Sequence, residues 1–222
     1  MERITPAEWK RCIANADAAG KSKKTLSNIR GAMTAFFDWC SENRITVDKP
    51  EKISVPKDAP VGERTILGTN DIKTLFSDDT ILWRGKRRKA FYIHAWRLIV
   101  ILGLRRGELA RIKHSDIDEN GILHICRSIN SIGEVTSGKT KNARRDILLP
   151  PHALRVIEDQ KAMLKGLGIA TRTWLFPGPD GNQMDTNAMY KQWRHYRDQN
   201  GIKSNLHELR HTTVSLVKTE LP

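Results

Sequence analysis

The longest apolar run in the chain, Ala90 to Leu102, constrains the fold more than any other stretch. It is interrupted by His94 and Arg97 and is too short to span a bilayer, which takes about 20 apolar residues in a helix. It therefore reads as a buried helix, and a buried helix needs other elements to cover it. With 222 residues the chain can supply one good core plus a smaller attachment.

The flanking pattern gives the expected cover. Thr5-Pro6-Ala7-Glu8 is a capping box with proline at the first helical position, so a helix starts there and stops near Gly20. A second helix follows from about Ser22 to Asn43, with Leu26, Ile29, Met33, Phe36, Phe37 and Cys40 forming an apolar stripe at helical spacing. Two helices cannot bury a core alone and need a partner. Pro50, Pro56 and Pro60 mark residues 47–63 as a semi-extended linker. From 64 onward the chain reads as a larger domain. Thr69-Asn70-Asp71 caps a short helix through Phe76, and Lys86-Arg87-Arg88-Lys89 is a basic cluster ahead of the buried helix. Gly103 ends that helix, and a new one is expected to carry Glu108 to about Lys113. Ile122–Cys126 and Asp146–Leu149 read as short strands, so 121–150 should form a small antiparallel sheet. Helices are expected over 152–165, around Met189, Trp193 and Tyr196, and from about Leu206 onward. The predicted class is mainly α with a small antiparallel β-sheet (α+β).

Charge narrows the partner. Thirty-eight Lys and Arg against 25 Asp and Glu give a net charge of +13 and a pI near 9.9. This points to a polyanion, nucleic acid first and an acidic membrane surface second. Cys12, Cys40 and Cys126 are far apart and odd in number, which fits a reducing compartment and makes no metal pattern. Charged residues follow Met1, so no secretory signal is expected. Lys21, Lys23 and Lys24 surround the start of the second helix, where a helix N-terminus also favours phosphate; a solvated basic face explains them equally well.

Three stretches carry chemistry: Gly103-Leu104-Arg105-Arg106-Gly107-Glu108-Leu109, Gly138-Lys139-Thr140-Lys141, and His207-Glu208-Leu209-Arg210-His211-Thr212. His207 and Arg210, three apart, share a helix face. Arginine keeps its proton and offers a planar fork that matches two phosphate oxygens. Two such groups on the non-bridging oxygens of a phosphodiester would stabilise the transition state of its cleavage. A lysine can protonate the departing alkoxide, and a histidine can act as acid or base. Singly, Arg105 fits a helix cap, Lys139 a turn lysine and His207 a core histidine; jointly they fit one phosphate site. No carboxylate cluster for Mg²⁺ accompanies them, so metal-free, cofactor-free transfer is expected. The last stretch also spells the His-Glu-x-x-His of a zinc protease, with His207 and His211 as ligands and Glu208 as base. Arg210 would place a fixed cation within that metal-site helix. The longer form of the motif would need Gly and His where Val214 and Val217 stand.

The first and third stretches resemble the two signature boxes of tyrosine recombinases, the phage-integrase family. Gly138 to Arg145 resembles the hairpin carrying that family's lysine. The resemblance implies a partial helical core-binding domain over 1–46, a linker over 47–63 and a catalytic domain over 64–222, incomplete at its C-terminus, closing as a C-shaped clamp on duplex DNA. It implies that Arg105 and Arg210 clamp the scissile phosphate and that Lys139 protonates the leaving 5′ oxygen, with Lys141 the second candidate. His207 would assist proton transfer and Glu108 would support the site from behind. Lys21, Lys23, Lys24 and Arg106 are the expected DNA contacts. The family forms a covalent 3′-phosphotyrosyl link without metal or ATP, and self-association into a tetrameric synapse on DNA goes with that. A bacterial or phage-encoded protein acting on DNA in the cytoplasm is expected, with no membrane partner. The family's tyrosine lies downstream of the second box, whereas Tyr92, Tyr190 and Tyr196 all precede it. As written, the chain is expected to bind DNA and hold a phosphate without cutting, as a truncated piece of a longer integrase or, second, as a non-catalytic DNA-binding remnant.

Overall fold

The computed structural model describes residues 4–62, 65–83, 85–129, 135–136 and 144–220. The chain divides into two compact units, Met1–Arg64 and Thr65–Pro222.

In the first unit, α1 (Pro6–Ala18) starts at the expected capping box: the Thr5 N–H donates to Glu8 Oε2 at 2.7 Å and the Glu8 N–H returns to Thr5 Oγ1. α2 (Lys23–Glu42) is capped by Ser22, whose hydroxyl accepts from the Thr25 N–H. The two helices bury Ile13, Leu26, Met33, Phe37 and Cys40, with the Trp9 ring edge-on to Phe37 at 5.1 Å. Residues 47–62 form no helix or strand and return along the start of α2, where the Lys23 N–H donates to the Pro60 carbonyl at 2.7 Å and Ala59 is buried.

The second unit opens with α3 (Thr69–Ser77) and a hairpin of β1 (Thr80–Trp83) and β2 (Lys86–Lys89). Nothing in the residue pattern announces this hairpin beyond its basic cluster. Four consecutive cations carry no apolar–polar alternation, and it is β1 that anchors the pair, through buried Ile81. α4 (Ile93–Leu102) is the buried helix; Ile93 through Val100 are all inaccessible, including His94 and Arg97. At about 1.5–3 kcal/mol for each large apolar side chain buried, Ile93, Trp96, Leu98, Ile99 and Val100 make this helix a large contributor to the unit's core. It is covered by α6 (Pro151–Gly166) and α8 (Leu206–Glu220). Trp96 packs against Trp193 and Tyr196 of α7 (Thr186–Gln199) at 5.2 and 5.3 Å, and the Tyr196 hydroxyl donates towards the carbonyls of Thr74 and Asp78.

Gly103 caps α4 in the left-handed region at φ 62°, and α5 (Arg106–Leu109) follows at once. α5 is shorter than expected and does not reach Lys113. After Leu109 the backbone leaves the helix, because Ile112 accepts from the Leu175 N–H and Lys113 bridges to Trp174. A 3₁₀ turn (His114–Asp116) leads to β3 (Ile122–Ile125), which pairs antiparallel with β6 (Arg145–Leu148) in the register Ile125↔Arg145. β4 (Ser128–Ile129) pairs with β5 (Val135–Thr136). The described residues thus hold three two-stranded antiparallel sheets on a helical body, an α+β fold. No helix among them is long and apolar enough to cross a membrane.

Candidate functional site: a cationic pocket built on Glu108

The turn after α4 aims the first box. Gly103 takes the conformation that L side chains resist, Leu104 is buried as an anchor, and Arg105 becomes the N-cap residue of α5 with its side chain half exposed. Three residues on, Glu108 is buried and closes the turn by accepting the Arg105 N–H on Oε2 at 2.8 Å. The same carboxylate collects guanidiniums. Arg105 Nη1 donates to Oε1 at 2.7 Å, and Arg145 binds in bidentate fashion with both contacts at 2.9 Å. Arg210 Nη1 lies 4.0 Å from Oε2 and donates to the Gly103 carbonyl at 2.7 Å. Arginines from both boxes therefore converge on one carboxylate. Their mutual repulsion is felt: burial first and then the Arg105 charge push the Arg210 guanidinium below its usual pKa.

Glu108 stays ionised. Burial opposes the charge, but hydrogen bonds from Arg145 and Arg105 outweigh it and hold the carboxyl at about 2. One carboxylate against three guanidiniums leaves positive charge uncompensated, which a phosphodiester would neutralise.

The second box begins α8 with its own cap. Asn205 Oδ1 accepts the N–H groups of His207 and Glu208, and Glu208 Oε2 accepts the Asn205 N–H at 2.6 Å. Glu208 Oε1 accepts the Thr65 N–H at 3.2 Å, and the Thr212 hydroxyl accepts the Leu67 N–H at 3.0 Å. Glu208 is thus committed to backbone with both oxygens and is not placed to serve as the base of a zinc protease. His207 is exposed, its ring edge-on to His211 at 4.9 Å. Partial burial lowers its pKa, with His211, Arg210 and Arg105 adding to the fall, so the imidazole is neutral at pH 7 and able to accept a proton.

His207 and Arg210 line a concavity of about 350 Å³ with Leu104, Arg106, Tyr190, Asn205 and Leu206. Arg106, expected to contact DNA, thus faces the same hollow. Tyr190 of α7 also reaches it, whereas Tyr92 and Tyr196 are buried in the core. Lys21 and Lys24 are exposed on the first unit, but Lys23 is half-buried and donates its ammonium to the Lys57 carbonyl at 2.9 Å. Lys139 and Lys141 lie outside the described residues. Arg145 is the site residue that sequence reasoning missed: it sat at the end of the lysine stretch with no role. No signal in the sequence assigns it, because its meeting with Glu108 depends on how β6 pairs with β3.

Residues 67–219 match the sequence profile of the phage integrase family. The chain belongs to the phage integrase family. Among its relatives, a XerC-like tyrosine recombinase of Caldanaerobacter subterraneus subsp. tengcongensis is 25% identical over 224 residues, covering 87% of this chain and 55% of the relative. The integrase of Mycobacterium phage L5 is 29% identical over 228 residues, covering 95% of this chain and 55% of that protein. The chain therefore spans about half the length of these family members. The same fold occurs in the Tn1549 transposon integrase in complex with transposon right end DNA (TM-score 0.72, 17% identity, 99% of this chain and 74% of that one). It occurs also in a lambda integrase tetramer bound to a Holliday junction (TM-score 0.70, 16% identity, 100% and 62%).

Proposed function

We propose that this chain is the phosphate-holding part of a site-specific DNA recombinase, binding duplex DNA and, in a chain that also carries the nucleophilic tyrosine, cleaving and rejoining strands. The observation that carries this reading is the convergence of Arg105 and Arg210, from boxes distant in sequence, on the Glu108 carboxylate, with Arg210 and His207 also lining an accessible hollow. The two guanidiniums would grip the non-bridging oxygens of the scissile phosphodiester and stabilise the charge that builds on them. The tyrosine oxygen would form the new bond to phosphorus as the bond to the 5′ oxygen breaks. Neutral His207 would accept the phenolic proton, and Lys139 would deliver one to the leaving 5′ oxygen, so no metal or nucleotide is required. Glu108, itself held by Arg145, would keep the pair of guanidiniums in aim.

Residues 1–46 would serve as part of a core-binding domain, with Lys21 and Lys24 on DNA phosphates, and copies would assemble on DNA as the lambda integrase tetramer does on its junction. A cytoplasmic site of action follows from that substrate. Fusing a tyrosine-bearing tail of a family member and assaying covalent protein–DNA adducts tests the reading. Adducts should form with the wild-type boxes and disappear in Arg105→Ala and Arg210→Ala, while much of the DNA affinity remains. Adducts at the wild-type rate in either variant would overturn the assignment. Binding without any adduct would favour a purely DNA-binding role.

A further inference from the structure

The β1–β2 hairpin is cationic and exposed, and the phosphate site does not use it. All four residues of β2 are exposed, while β1 packs onto α7: the Leu82 N–H donates to Gln199 Oε1 at 2.6 Å and the Trp83 ring meets His195 edge-on at 4.8 Å. The strand alternation divides the cations into two kinds. Arg87 and Lys89 are partnered, by Asp78 at 3.4 Å and Asp79 at 3.6 Å. Lys86 and Arg88, opposite Trp83 and Ile81 in the register, have no carboxylate within salt-bridge distance among the described residues. They share the hairpin face that lies against α7.

α7 fixes where this hairpin stands relative to the pocket. Tyr190 on one margin of the helix lines the hollow that holds His207 and Arg210. His195, against the hairpin, is about 140° further round at 3.6 residues per turn, and Gln199 lies on the opposite side of the helix from Tyr190. Between the two margins runs an exposed arc of Asn187, Lys191, Arg194 and Asp198. The phosphate pocket and the hairpin therefore flank one exposed helix face from opposite sides. A helix is about 10–12 Å across and the DNA major groove about 12 Å wide, so the two lips of a groove laid over α7 would meet the two flanks.

We propose that Lys86 and Arg88 grip backbone phosphates of the strand across the groove from the one held by Arg105 and Arg210. This rests on the duplex-binding function proposed for the chain and adds to it a second, β-hairpin grip on the complementary strand. The ammonium and guanidinium act there as charge and hydrogen-bond donors to phosphate, without reading sequence.

The test is a salt titration of the full chain binding a random-sequence duplex, followed by fluorescence anisotropy. For the Lys86→Ala/Arg88→Ala double variant, the slope of log affinity against log salt should become shallower by about two, roughly one for each phosphate no longer neutralised. The charge-keeping Lys86→Arg/Arg88→Lys variant should retain the wild-type slope, and both should melt at the wild-type temperature. Binding to a single-stranded oligonucleotide of equal length should be unchanged by the alanine pair. A wild-type slope in the alanine variant, with steep salt dependence in the parent, would overturn the hairpin grip and leave the duplex reading standing. Equal weakening on single and double strands would overturn its placement on the complementary strand. No DNA binding by the parent chain would remove both.

Discussion

Glu108 and His94 are two buried titratable side chains on consecutive helices, and they are opposites. Glu108 is surrounded by hydrogen bonds from Arg105 and Arg145 with Arg210 close by, and its charge survives burial. His94 is equally inaccessible, yet neither ring nitrogen has a partner among the described residues. Burial, reinforced by the charge of Arg97, pulls its pKa down to about 4, so it is neutral at pH 7. Burial disfavours charge in both cases; what differs is whether partners were supplied. At the site the fold supplies three guanidiniums, while beside His94 the Arg97 guanidinium is already committed to Asp79 and the Leu75 carbonyl.

The largest expected effect comes from removing the better-partnered group. Glu108→Ala leaves three cations facing a cavity, and urea unfolding should show a loss of about 3–5 kcal/mol, the usual result of breaking a buried charge cluster on one side. A loss below about 1 kcal/mol would mean that water solvates the cluster and the contrast with His94 is false.

Acid should separate the two groups next. Because the folded pKa of Glu108 is depressed from 4.5 to about 2, its contribution is present above 4.5 and is lost as pH falls through that window, by up to about 3 kcal/mol. Glu108→Gln should lack this component in pH-dependent melts. His94 works at higher pH. Its folded form stays neutral while the unfolded ring takes up a proton below about 6.5, so stability falls between 6.5 and 4. His94→Leu should therefore raise stability at pH 5 relative to the parent, by about 2 kcal/mol, and leave the lower window untouched. If both variants flattened the same pH range, the two groups would have to be coupled.

The smallest effect sharpens the comparison at the joint between α4 and α5. Gly103→Ala forces a side chain into the left-handed region beside Thr213, 3.5 Å away, and should cost about 1–2 kcal/mol in chemical denaturation. An unchanged midpoint would show that the turn adapts.

How much of the molecule is legible in its residues differs by element. α4 is readable from its apolar run, because nothing else accommodates such a stretch in a unit of this size. Within the second box, the shared face of His207 and Arg210 is readable from their i,i+3 spacing, whereas the approach of Arg105 to Arg210 is not set by any local spacing. Arg145 is not, since its meeting with Glu108 depends on the β3–β6 register, which is set through a connection whose sequence names no partner. The hairpin is hidden for a different reason: its outer strand is exposed on every residue and carries no burial pattern. Glu208 is open to a catalytic reading until Asn205-x-x-Glu208 is recognised as a cap that satisfies backbone donors. The α5 boundary fails because the helix yields to backbone pairing with Leu175 and Trp174, residues distant in sequence.

The carboxylate of Glu108 holds a backbone N–H and the Arg105 and Arg145 side chains at once, so the guanidiniums proposed to hold phosphate are already gathered in the folded chain. The entropy of lining up those cations is charged to folding, and association meets a preorganised surface. An engineer who wants to weaken the grip without unravelling the molecule should therefore leave the buried acid alone and work on Arg105, whose outer half is in water.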